Sequence, residues 1–143
     1  MKIRELEISE IEEALKAENY PKPVVSHLEQ ALNLLADRKS PDYRNSIKES
    51  ILAVEATCQL ITGNSKATLG QVLGEIEKKV DIHPALKSSF SKLYGYTSDA
   101  DGIRPALLEE SNLNFEDAKF ILVSCSAFIN YLKSKALMVE SNL

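Results

Sequence analysis

The chain reads as an all-α bundle of about five to seven helices, and three observations predict it. Apolar residues recur at helical spacing in every long segment, which is the mark of amphipathic helices. Only 5 Gly and 5 Pro fall among the 143 residues, so long stretches are free of helix breakers. The third observation is the run from Phe120 to Leu132, which carries no charged residue and whose Ile121, Leu122, Val123, Cys125, Phe128, Ile129 and Leu132 lie all round a helical wheel. A helix that is apolar on every side is buried among others. The segment near 115–133 is therefore expected to be a central helix with the rest wrapped around it. It is too short for a membrane span, which needs about 20 apolar residues, and Ser124, Ser126 and Asn130 interrupt it.

Composition sets the outer bounds. A length of 143 fits one domain covering 1–143, and a domain of this size buries about 68–70% of its unfolded surface. Hydrophobic content of 44% and charged content of 27% is an ordinary globular balance. A net charge of −4 argues against a non-specific nucleic-acid coat and leaves room for a local basic cleft. Cys58 and Cys125 fall inside apolar helical runs and read as small core residues of a reducing, cytoplasmic environment. Cys and His are too few and too scattered for a zinc site, so neither metal nor cofactor is expected. The first ten residues, MKIRELEISE, lack the apolar stretch of a signal peptide, and no membrane partner is expected.

Along the chain, Ser9 is the expected cap of a short first helix, with Ile8, Ile11 and Leu15 on its apolar face and Pro21 and Pro23 ending it. After Pro23, a second helix carries Val24, Val25, Leu28, Ala31, Leu32 and Leu35, and ends near Arg38-Lys39, whose charges suit a C-terminus. Ser40 as N-cap and Pro41 at the first helical position open a third, with Ile47, Ile51, Val54, Cys58 and Ile61 as its stripe and Gly63-Asn64 as its stop. Thr68 caps a fourth, bearing Leu69, Val72, Leu73, Ile76 and Val80. Pro84 begins a fifth, bearing Leu86, Phe90, Leu93 and Tyr94. A polar break from Gly95 to Gly102 and a short turn or helix from Ile103 to Glu110 lead to Asn114, which caps the central helix with Glu116 and Asp117 in its first turn.

Two stretches look built for more than packing. Arg44, Lys48, Glu55 and Gln59 lie near one edge of the third helix, and Glu55 stands beside Ile51, Leu52 and Cys58. A carboxylate placed there is partly buried and needs a partner, so a structural salt bridge and a site role both fit. The second stretch runs from Tyr94 to Arg104, a polar loop with aromatics, acids and one Arg. Arg104 can hold a phosphate bidentately, or pair with Asp99, Asp101 or Glu55. A divalent metal on Asp99 and Asp101 is a third option, without EF-hand spacing to support it. His27 and His83 read as partly buried or capping histidines rather than bases. A Gly-rich phosphate loop is missing, which weakens a nucleotide-binding reading.

The strings PDYRNSIKESILAVEATCQLITG, ATLGQVLGEIE, HPALKSSFSKLYGYTSDADGIRPALLEE and NFEDAKFILVSCSAFINYL together resemble the HEPN-like C-terminal domain of bacterial abortive-infection proteins. The resemblance covers about residues 24–133 and is most specific at Tyr43-Arg44-Asn45-Ser46-Ile47-Lys48-Glu49-Ser50 and Leu93-Tyr94-Gly95-Tyr96. It implies an HEPN-like bundle that pairs as a homodimer and associates with RNA in phage defence, as metal-independent endoribonuclease toxins of this kind do. It further implies that Arg104 contacts phosphate, supported by Tyr96, Asp99, Asp101 and the Arg44, Asn45 and Glu49 edge. The active motif of such domains pairs an Arg with a His a few positions on, and relatives read Gly-Ile-Arg-His-Ala where this chain has Gly102-Ile103-Arg104-Pro105-Ala106. Pro105 neither donates nor accepts a proton. The resemblance then implies a degenerate, non-catalytic member, a disarmed toxin, or a site in which Arg is the only essential group. The alternative is a non-catalytic dimerisation or sensing module, serving as one domain of a longer protein. The missing His and the acidic net charge favour it.

Overall fold

The computed structural model describes residues 5–15, 21–76, 78–97 and 113–141, with side chains at 8–15, 21–76, 78–92 and 113–136. The described residues form six helices and no strand: α1 (Glu5–Ala14), α2 (Lys22–Ala36), α3 (Tyr43–Thr62), α4 (Leu69–Ile76), α5 (Pro84–Thr97) and α6 (Phe115–Ser141). The all-α class follows directly.

Local chemistry sets most of the ends. Thr68 and Gln71 cap α4 reciprocally: Gln71 N–H donates to Thr68 Oγ1 at 3.4 Å, and Thr68 N–H to Gln71 Oε1 at 3.0 Å. The same box opens α6, where Asp117 N–H donates to Asn114 Oδ1 and Asn114 N–H to Asp117 Oδ2, both at 3.1 Å. His83 Nδ1 accepts from Ala85 N–H at 3.0 Å at the head of α5, the capping role expected of it. Gly63 ends α3 in the left-handed region at φ 76°, as its position after the helical stripe predicts.

Four ends differ from expectation. The N-cap of α3 is Asp42, not Ser40. Asp42 accepts from Asn45 N–H at 3.0 Å and from Asn45 Nδ2 at 2.7 Å, so a carboxylate holds the positive end of the helix where a neutral hydroxyl would have been the weaker partner. Ser40 is taken up by the preceding turn, in which Asp37 accepts from the N–H groups of Ser40 at 3.0 Å and Lys39 at 2.9 Å. Those donors hold the Asp37 carboxyl below its ordinary range. Accordingly α2 ends at Ala36, before Arg38-Lys39. In α1, Ser9 lies inside the helix rather than at its head, because the preceding Glu-Leu-Glu-Ile run is itself good helix former. Ile11 and Ala14 are its buried face, while Ile8 points outward. α5 continues through Gly95 to Thr97, so the polar break begins later than the sequence suggests.

Three ties fix α2 against α3. Asp42 N–H donates to Leu34 O at 3.0 Å, Ser46 Oγ to Ala31 O at 2.7 Å, and His27 Nδ1 lies 2.6 Å from Glu49 Oε2. One number rises as the other falls, so the two helices are antiparallel. α6 packs on α1, α2 and α3, and is central as expected. The centre is shared, however, because α4 packs mainly on α3. Ile47, Ile51, Val54 and Cys58 of α3 and Ile121, Leu122, Cys125, Phe128, Ile129 and Leu132 of α6 belong to one buried core, which α2 and α4 complete. Phe90 brings α5 to α6 through Phe128, their ring centroids 4.0 Å apart. α6 is not buried all round: Val123 is half-buried and Phe120 is 57% exposed. Asn130 Nδ2 donates to Glu10 O at 3.0 Å and Glu10 Oε2 at 2.8 Å, tying α1 to α6. Among the described residues no helix is long and apolar enough to cross a membrane.

Candidate functional site

Residues 27, 31 and 34 of α2, and 46 and 49 of α3 with its N-cap 42, are spaced one turn apart, so each set falls on one line of its helix. Packed antiparallel, the two lines meet as a seam. Ser46 is fully buried in it and closes it with the bond to Ala31. One turn further toward α2's N-terminal end the seam carries an acid and a base, both partly exposed.

His27 Nδ1 sits 2.6 Å from Glu49 Oε2, with side chains 32% and 18% exposed. A carboxylate can only accept, so Nδ1 carries the hydrogen and donates it. In the neutral ring Nε2 is then the acceptor, and it makes no hydrogen bond among the described residues. Such an arrangement can take up a proton at Nε2 while the carboxylate steadies the resulting imidazolium. Asn45 stands one turn before Glu49, half-buried and bound to Asp42. Lys48 adjoins Glu49 on the exposed side.

Of the expected site residues, Asn45 and Glu49 stand one turn apart on α3, Asn45 bonded to Asp42 and Glu49 to His27. Arg44 is half-buried and lies about 140° round α3 from Glu49, at about 100° per residue. It belongs instead to the neighbouring edge with Lys48, Glu55 and Gln59. Gln59 Nε2 donates to Ala67 O at 2.9 Å. Glu55 is half-buried as expected, but has no hydrogen-bond or ion-pair partner among the described residues. Its neighbour Cys58 is fully buried, and burial, followed by the Glu55 charge, pushes that thiol up to about 12. Cys58 and Cys125 are both fully buried, as core residues should be. Arg104, Pro105, Asp99 and Asp101 lie outside the described residues, as does the side chain of Tyr96. The same holds for the turn or helix expected from Ile103 to Glu110 and for the side chains of Leu93 and Tyr94.

The pairing of His27 with Glu49 is what sequence reasoning missed. Its only signal was the matching one-turn spacing on two helices, which becomes legible once they are taken to pack antiparallel. Among the described residues no group of three or more His, Cys, Asp and Glu side chains is gathered to hold a metal ion. No family model matches the chain, and no curated protein or solved structure matches it.

Proposed function

We propose that this chain is an HEPN-type, RNA-associated bundle of a bacterial abortive-infection system, with RNA lying along the polar edge of α3 beside the partly exposed His27–Glu49 pair. The observation that carries the reading is the half-exposed His27–Glu49 pair on a seam otherwise closed by Ala31, Leu34 and Ser46. A hydrogen-bonded polar pair contributes less to packing than apolar side chains of the same volume, so its presence at such a place points to use. The strings around Tyr43–Ser50 supply the family side of the reading. Lys48 and Arg44 would meet phosphate oxygens as point charge and fork respectively, Asn45 would offer a polar contact, and Arg104 would add a third cation. Cytoplasmic location and a homodimer belong to the same proposal.

The test is a titration of fluorescein-labelled single-stranded RNA with the full chain at several salt concentrations. Saturable binding is expected, weakening linearly in log salt as bound counterions are released, and weakening several-fold in a Lys48→Glu, Arg44→Glu double variant. Absence of saturable binding removes the RNA reading. The non-catalytic dimerisation or sensing module then takes its place, for which Phe120 at 57% and Leu60 at 54% exposure offer apolar surface.

A further inference from the structure

We propose that the solvent side of α6, between α1 and α5, is a docking groove for an amphipathic helix of a partner protein, one that carries basic residues along the edge meeting α1 and acidic residues along the edge meeting α5. The proposal stands apart from the RNA reading above, which concerns α2 and α3. At about 100° per residue, Phe120, Val123, Ala127 and Tyr131 fall within a sector of about 80° on α6. Leu122, Cys125 and Ile129, all fully buried, lie on the opposite side. Val123, Ala127 and Tyr131 are half-buried, and Phe120 is 57% exposed. Apolar side chains left partly open in a row, at spacings of three and four, form the kind of ridge against which a further helix packs.

Two helices wall this stripe. Asn130 and Phe128 stand about 80° to either side of Phe120. Asn130 Nδ2 donates to the Glu10 carboxylate of α1 at 2.8 Å, and Phe128 meets the Phe90 ring of α5 at 4.0 Å between centroids. α1 and α5 are thereby placed on opposite flanks, with the stripe as the floor between them. The charges of the two walls are opposite. Glu5–Ala14 contains five Glu and no base, whereas Pro84–Thr97 contains Lys87 and Lys92 and no acid. The same division reaches the floor: Glu10 borders it on one edge, and on the other Lys135 Nζ lies 5.7 Å from the centroid of the Tyr131 ring. A wholly acidic or wholly basic partner meets repulsion from one wall, while a helix with one edge of each sign is complementary to both. α1 itself shows that α6 takes an amphipathic helix in this way, since it packs there with Ile11 and Ala14 buried and a carboxylate held by an α6 amide.

The experiment is fluorescence anisotropy of three fluorescein-labelled synthetic peptides titrated with the full chain. Each has about 18 residues, beyond the length at which an isolated helix is marginal, with Leu at helical spacing. One carries Glu along one edge and Lys along the other, one carries Glu on both edges, and one carries Lys on both. The mixed peptide is expected to bind saturably and several-fold more tightly than the other two. Phe120→Asp should weaken it by about tenfold or more, with a thermal transition close to that of the parent chain because the site is exposed. Lys135→Glu should weaken the mixed peptide and strengthen the one with Lys on both edges, a change of sign that a loss of fold does not produce. Equal binding of the three peptides, no saturable binding, or parent-like binding by the Phe120→Asp chain overturns the proposal. Sedimentation velocity of the chain alone is the last arm: self-association that Phe120→Asp abolishes makes a second copy the occupant of the groove and overturns it as well.

Discussion

Ser126 carries a hydroxyl that is fully buried on α6 and has no hydrogen-bond partner among the described residues. A buried donor left unmade costs more than its absence, so Ser126→Ala should stabilise the chain by about 1 kcal/mol. Urea unfolding reads this as a raised midpoint at unchanged slope; a lowered midpoint would mean that the hydroxyl has a partner after all. Single residues were legible in the sequence wherever the signal was local. Gly63, Thr68, Asn114 and His83 act within three positions of themselves, and each serves as its neighbours suggest. His27 and Glu49 are 22 positions apart. Nothing local distinguishes that histidine from any other on an amphipathic helix, and only the packing register brings it to its carboxylate. Glu55 shows the converse: its partial burial was legible, but the partner it was expected to have is not among the described residues.

At the scale of elements, helix stripes were easier to read than helix starts. The apolar periods of α2, α3 and α4 reappear as buried faces. The start of α3 was misplaced because Asp37, Ser40 and Asp42 all compete as caps within six positions, and the winner depends on which turn the chain takes between the helices. Asp42→Ala should accordingly cost about 1–2 kcal/mol, whereas Ser40→Ala, exposed and outside the helix, should stay within about 0.5 kcal/mol of the parent. Thermal or urea unfolding of the two variants measures the contrast, and the reverse order would return the cap to Ser40. The over-long α5 has a similar cause: one glycine costs a helix only about 1 kcal/mol, too little at Gly95 to stop it.

Taken as a whole molecule, the all-α class and the central place of α6 were legible because burial leaves a compositional trace: thirteen residues from Phe120 to Leu132 without a charge. The sharing of that centre with α3 was not, since α3 is amphipathic and its wheel gives no hint of how many neighbours its apolar face serves. The antiparallel seam of α2 and α3 is a property of the assembled bundle in the same sense, and the proposed RNA site depends on it. The most direct measurement is a titration of the isotope-labelled chain with single-stranded RNA, followed by amide and imidazole NMR shifts. Progressive shifts centred on His27, Asn45, Lys48 and Glu49 are predicted, with the residues around Leu60 unmoved. Shifts that leave those four in place, whether because they gather elsewhere or because none occur, would contradict the assignment of the seam as the RNA site.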